Sequence, residues 1–164
     1  MRRVDWRYLT AAVAVSLFVY SGIDTEPLQY RTAHWVHSLL DALGVHLPKT
    51  GYTFQVGGIN AVIVKGCVVW PAIALFVGLI LATPGPSLTR KLLAIAVSTA
   101  IMTAGNVLRL AFMFYMMSVW HVGFRVAHDI VGQLIGLLII VLAGWVAFEI
   151  VPETEEKLRE LLPV

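Results

Sequence analysis

Four long apolar stretches, interrupted at Pro84-Gly85-Pro86 and stopped at Pro152, constrain this chain more than any motif in it. Stretches that approach or exceed the roughly 20 residues of a membrane-crossing helix belong in a bilayer. Hydrophobic residues make up 59% of the chain against 13% charged, and the mean hydropathy is +0.81. The fold expected is all-α and membrane-embedded, a single domain over residues 1–164. It has about four transmembrane helices at about 8–23, 67–83, 92–120 and 126–151, with a cytoplasmic tail at 152–164. The first stretch follows Met1-Arg2-Arg3 like a signal peptide, but the run from Ser21 to Glu26 lacks an Ala-x-Ala-like cleavage site, so it is read as an anchor.

Basic residues orient these spans. Arg2, Arg3 and Arg7 precede the first, Arg90 and Lys91 join the second to the third, and Lys157 and Arg159 follow the fourth, which assigns all three segments to the cytoplasm. Arg31, Lys49, Lys65 and Arg125 fall outside on this reading. The basic residues form no stripe and the net charge is only +2, which argues against nucleic acid as a partner. Membrane lipid is the expected surrounding.

The outer segment between the first two spans is too apolar for a plain linker. Residues 32–47 bring Trp35, Val36, Leu39, Leu40 and Leu43 to one face, predicting an external amphipathic helix. Tyr52, Phe54 and Val56 then alternate up to Gly57-Gly58, and a run rich in β-branched residues follows from Ile59 to Val64. This predicts a short β-hairpin before the second span, delivering the chain to Cys67.

Cys67 is the only cysteine, so an internal disulfide framework is excluded. A thiol becomes a competent nucleophile as thiolate, which a neighbouring cation or base favours. Arg109 lies eighteen residues past Lys91, roughly 27 Å along a helix, in the outer part of the third span. His128 opens the fourth span near the same boundary, so three remote segments bring Cys67, Arg109 and His128 to similar depth. Each also has a plain explanation: Cys67 as packing, Arg109 as a snorkelling cation, and His128 beside Asp129 as part of a helix cap. An arginine inside a span costs about 2.5–3.5 kcal/mol and usually faces a partner in the bundle interior.

At these residues the chain resembles the exosortase and archaeosortase family of membrane-embedded cysteine transpeptidases. The resemblance covers about residues 51–144. It rests on the apolar lead into Gly66-Cys67, on Asn106-Val107-Leu108-Arg109 as the family's Asn-x-x-Arg, and on His128-Asp129-Ile130-Val131-Gly132 as its His-x-x-x-Gly. Many members follow the cysteine with a small residue and glycine, where this chain has Val68-Val69-Trp70. The resemblance implies cleavage of a C-terminal sorting tail, made of a short motif, a transmembrane helix and a basic cluster, from surface proteins, with transfer to a surface acceptor. It implies Cys67 as nucleophile, His128 as proton carrier and Arg109 as stabiliser of the oxyanion or thiolate, with the site on the extracytoplasmic side.

Asn106, three residues before Arg109 on one helical face, is read as orienting the guanidinium or binding substrate backbone, or as a plain interhelical hydrogen bond. His121 and Arg125 share the loop with His128 and are alternative base and cation, and Asp129 is an orienting group. Lys65 is read as a solvated strand-end lysine or a cation near Cys67. His34 and His37, with His46 beyond, have a weak metal-ligand spacing; no metal or cofactor is expected. Two other classes of function fit the same residues. One is a non-catalytic membrane assembly or scaffold subunit in which Cys67 packs and Arg109 pairs with a partner. The other is a haem or metal protein using the histidines.

Overall fold

The computed structural model describes residues 5–161; Met1, Arg2 and Arg3 and the last three residues of the tail, 162–164, used in the readings above, lie outside the described residues. Among the described residues there are six α-helices: α1 (Trp6–Gly22), α2 (Glu26–Ala42), α3 (Trp70–Ala82), α4 (Leu88–Val119), α5 (Gln133–Ile150) and α6 (Pro152–Leu161). By length and composition, α4 and the helical run Val126–Ile150 are able to cross a membrane, and the bent pair α1–α2 makes a third only if the two helices together form one span. Against the four spans expected, α3 has thirteen residues. It is therefore about 20 Å long, short of a bilayer core of about 30 Å.

The chain divides into two compact units. The first comprises Met1–Ile23, Trp70–Met102 and Ile140–Val164. Here α1 packs on α3 through small residues. A Cβ on Gly78 would run into Ser16 Oγ and the main-chain oxygen of Ala12, so only glycine lets the two helices approach this closely. Gly78→Ala is expected to destabilise the protein by about 1–3 kcal/mol, the usual cost of overpacking. Unfolding in detergent would show it as a lowered midpoint; an unchanged midpoint would mean that the contact does not matter.

Polar contacts close the ends of this unit. Arg90 donates to the Ile150 carbonyl at 2.8 Å and pairs with Glu153 at 3.0 Å, while Thr83 and Thr154 share a buried hydroxyl bond of 2.9 Å. Asp5 caps α1 through the Tyr8 N–H and pairs with Lys157 of α6 at 3.2 Å. Those two contacts, the cap first, hold its carboxyl below the usual range. Pro152 ends α5 as expected, but it also opens α6, whose first turn does not need the missing N–H.

The second unit comprises Asp24–Val69 and Thr103–Ile139. The amphipathic helix expected at 32–47 is shifted: α2 starts at Glu26, with proline in its first turn, and stops at Ala42. Gly44 at φ +77° makes the left-handed exit there, and the Val45 N–H returns to the Leu40 carbonyl at 2.9 Å. Its buried face is Ala33, Val36 and Leu40, whereas Trp35 and Leu43 are exposed.

The hairpin forms with β2 (Thr53–Val56) paired antiparallel to β3 (Ile59–Val62), and Val56 faces Ile59 across a two-residue turn. Gly57 and Gly58 both have positive φ, +58° and +79°, as a type I′ turn requires. A third strand not foreseen, β1 (Lys49–Thr50), pairs with β2 on its other edge. Phe54 is fully buried, its ring against Phe114 of α4 and near His37 of α2. This aromatic anchor fixes the small sheet, and with it the segment leading to Cys67.

Candidate active site

Cys67 does not open a membrane helix. It lies in a single 3-10 turn, Lys65–Val68, and α3 begins only at Trp70. The turn continues directly from the sheet: the Ile63 N–H bonds the Tyr52 carbonyl at 3.0 Å, and Gln29 of α2 donates to the Ile63 carbonyl at 3.1 Å. The Cys67 N–H then closes the turn on the Val64 carbonyl at 2.8 Å. Val69 leaves it in the left-handed region, at φ +52° and ψ +14°. That conformation costs a β-branched residue about 1–2 kcal/mol. Val69 thus makes a glycine-type bend without a glycine.

Two side chains of α4 face this turn. Asn106, 2% exposed, donates from Nδ2 to the Cys67 carbonyl at 2.5 Å. The sequence offers it as a partner of Arg109, of substrate, or of another helix; its hydrogen bond goes to the main chain of the cysteine itself. Arg109 lies close enough to Cys67 for its guanidinium charge to be felt by a thiolate there. Its one recorded hydrogen bond, from Nη1 to the Gly132 carbonyl, is long at 3.5 Å, and its Nε is buried without a partner.

His128 sits on a π-helical segment, Val126–Gly132, that leads into α5. A π turn is wider than an α turn and is found disproportionately at functional sites. The His128 Nδ1 bonds Asp129 Oδ1 at 2.7 Å, its ring stacks on Phe124 with centroids 5.0 Å apart, and 41% of the side chain remains exposed. The segment meets the arginine through Gly132, whose carbonyl takes the Arg109 bond and whose missing Cβ leaves room for Met113. Gly136, one turn further on, leaves room for the guanidinium itself: a Cβ there would stand 3.1 Å from Arg109 Nη1. Sequence reasoning missed Gly136. The signal available was its spacing of four from Gly132, the small-xxx-small pattern of close helix approach.

The remaining candidates are placed differently. Arg125 directly precedes the π-helical segment, makes no side-chain capping bond to it and is exposed. His121, exposed and at φ +52°, lines a cavity of about 290 Å³ with Gly57, Ile59, Met117 and Phe124. His37 and His46 both bond Asp41, at 3.0 and 2.9 Å, and His34 is exposed. Among the described residues no group of three or more His, Cys, Asp or Glu side chains gathers as metal ligands.

Compared with known proteins, the chain matches the family model described as transmembrane exosortase (Exosortase_EpsH) over residues 3–145. No curated protein and no solved structure matches it.

Proposed function

Because this chain belongs to the transmembrane exosortase family, we propose that it is a membrane cysteine transpeptidase that removes C-terminal sorting tails from surface proteins and passes the product to a surface acceptor. The observation that carries this reading is the pairing at Cys67, whose main chain is held by buried Asn106 and whose side chain lies within electrostatic reach of half-buried Arg109.

In the proposed reaction, Cys67 Sγ attacks the scissile carbonyl carbon while its proton passes to His128. The tetrahedral oxygen takes the negative charge, and Arg109 is suited to hold it, since its Nε has no other partner and a water-poor site strengthens the interaction. The C–N bond then breaks, His128 returns the proton to the leaving amine, and a thioester remains. A nucleophile of the acceptor attacks the thioester and regenerates the thiol. Asp129, bonded to Nδ1, orients the imidazole so that Nε2 carries the transfer. That bond favours His128 over His121 as the base, and Arg109 is favoured over Arg125 as the cation because it is the one within reach of Cys67.

The substrates implied are surface proteins bearing a short motif, a transmembrane helix and a basic cluster. The basic residues Arg7, Arg90, Lys91, Lys157 and Arg159 favour an extracytoplasmic site. One experiment tests both. In intact cells co-expressing a sorting-tail protein, a membrane-impermeant thiol reagent is expected to stop processing, because Cys67 is the only thiol in the chain. Processing that stops only after the membrane is opened would put the site inside. Processing insensitive even then would remove Cys67 from the chemistry.

A further inference from the structure

Two polar atoms beside Cys67 are buried without hydrogen-bond partners, Asn106 Oδ1 and Arg109 Nε. They do not bond each other, and each belongs to a side chain already committed at its other end. Asn106 spends Nδ2 on the Cys67 carbonyl, and Arg109 spends Nη1 on the Gly132 carbonyl. What remains is one acceptor and one donor, three residues apart on one face of α4. Leaving such groups unmade is costly, so an unoccupied complementary pair points to a ligand with one donor and one acceptor. In an extended peptide the N–H and C=O of a single residue point to the same side, as they do across a β ladder.

We propose that Asn106 and Arg109 form a main-chain subsite: Asn106 Oδ1 accepts the N–H of the residue whose carbonyl is attacked, and Arg109 Nε donates to that carbonyl oxygen. The inference rests on Cys67 as a nucleophile toward peptides and adds to it a contact that reads no side chain. Asn106 thereby joins the two reactants, since the same amide group that fixes the nucleophile's turn through Nδ2 aligns the substrate through Oδ1. A peptide shifted by one residue would present a different N–H and lose the alignment.

The test uses the purified full chain and two reagents with the same electrophile: N-acetyl-alanine chloromethyl ketone, and its analogue with the amide N–H replaced by an ester oxygen. Alkylation of Cys67 is timed for both, and their rate ratio is divided by the ratio measured with N-acetylcysteine. The wild type is expected to prefer the N–H reagent by about tenfold, the size of one hydrogen bond. Asn106→Ala and the volume-conserving Asn106→Leu are expected to bring the ratio to that of the free thiol. A wild-type ratio equal to that of N-acetylcysteine overturns the subsite, as does a preference that survives in either variant. Should both variants fail to fold, the wild-type ratio still decides. Because the assay involves no sorting-tail protein, processing without the N–H preference would discard the subsite alone, and the preference without processing would discard the transpeptidase reading alone.

Discussion

Cys67→Ala is expected to reduce processing of a sorting-tail protein to background, a loss on the order of 10⁶-fold if removing this nucleophile costs what removing one costs elsewhere. The fold should survive the change. Every recorded hydrogen bond that holds residue 67 is made by main-chain atoms: its N–H to the Val64 carbonyl and its carbonyl to Asn106 Nδ2. Alanine keeps both, so thermal midpoint and membrane insertion should match the wild type. Cys67→Ser should keep little activity, because a hydroxyl is far less acidic than a thiol and His128 would have to remove a much more tightly held proton. The measurement is the ratio of precursor to processed substrate in membranes holding equal amounts of each variant. Full processing by the alanine variant would end the transpeptidase reading, whatever the geometry around the turn.

How far the molecule could be read from its sequence differs by element, for physical reasons. The longest helix, α4, and the Gly57-Gly58 turn were legible because their signals are local: a run of apolar residues long enough to span, and two adjacent residues free to take positive φ. β1 was not, since a two-residue strand exists only by pairing with β2. The face of α2 was misjudged for a different reason. Apolar periodicity cannot separate residues packed on protein from those left outside, and Trp35 and Leu43 belong to the second group. The start of α3 was drawn at Cys67 because the apolar run begins there. Pro71 in the first turn was the better marker of where the helix begins. In the site, Arg109 stood out because a charge within an apolar run demands a reason. The partner of Asn106 did not, because a main-chain carbonyl leaves no trace in the identity of the residue that owns it.

Arg109 and His128 should separate by what each variant still does. Arg109→Lys keeps a positive charge but replaces a planar fork by a single ammonium, whose N–H groups all leave one nitrogen and so cannot reproduce donors at the separate Nη1 and Nε positions. A loss of about 10²–10³-fold in kcat is expected, the range for removing one oxyanion donor. His128→Ala should cost about 10²–10⁴-fold, the usual contribution of positioned proton transfer. Yet His128 is largely at the surface of its segment, bonded to Asp129 and stacked on Phe124, so its loss should not disturb the turn that holds Cys67. Small alkylating reagents should therefore still reach and modify Cys67 in the His128 variant while processing collapses. His121→Ala should leave processing near the wild-type level, since its cavity lies against the hairpin turn and it has no recorded bond to Asp129. The comparison is made by single-turnover processing beside alkylation rates for the same preparations. Should His121→Ala collapse processing while His128→Ala leaves it intact, the base is assigned to the wrong histidine. Should neither His128→Ala nor Arg109→Lys change processing, Cys67, Arg109 and His128 do not work as one site, and Arg109 is there to hold α4 against the Gly132 segment.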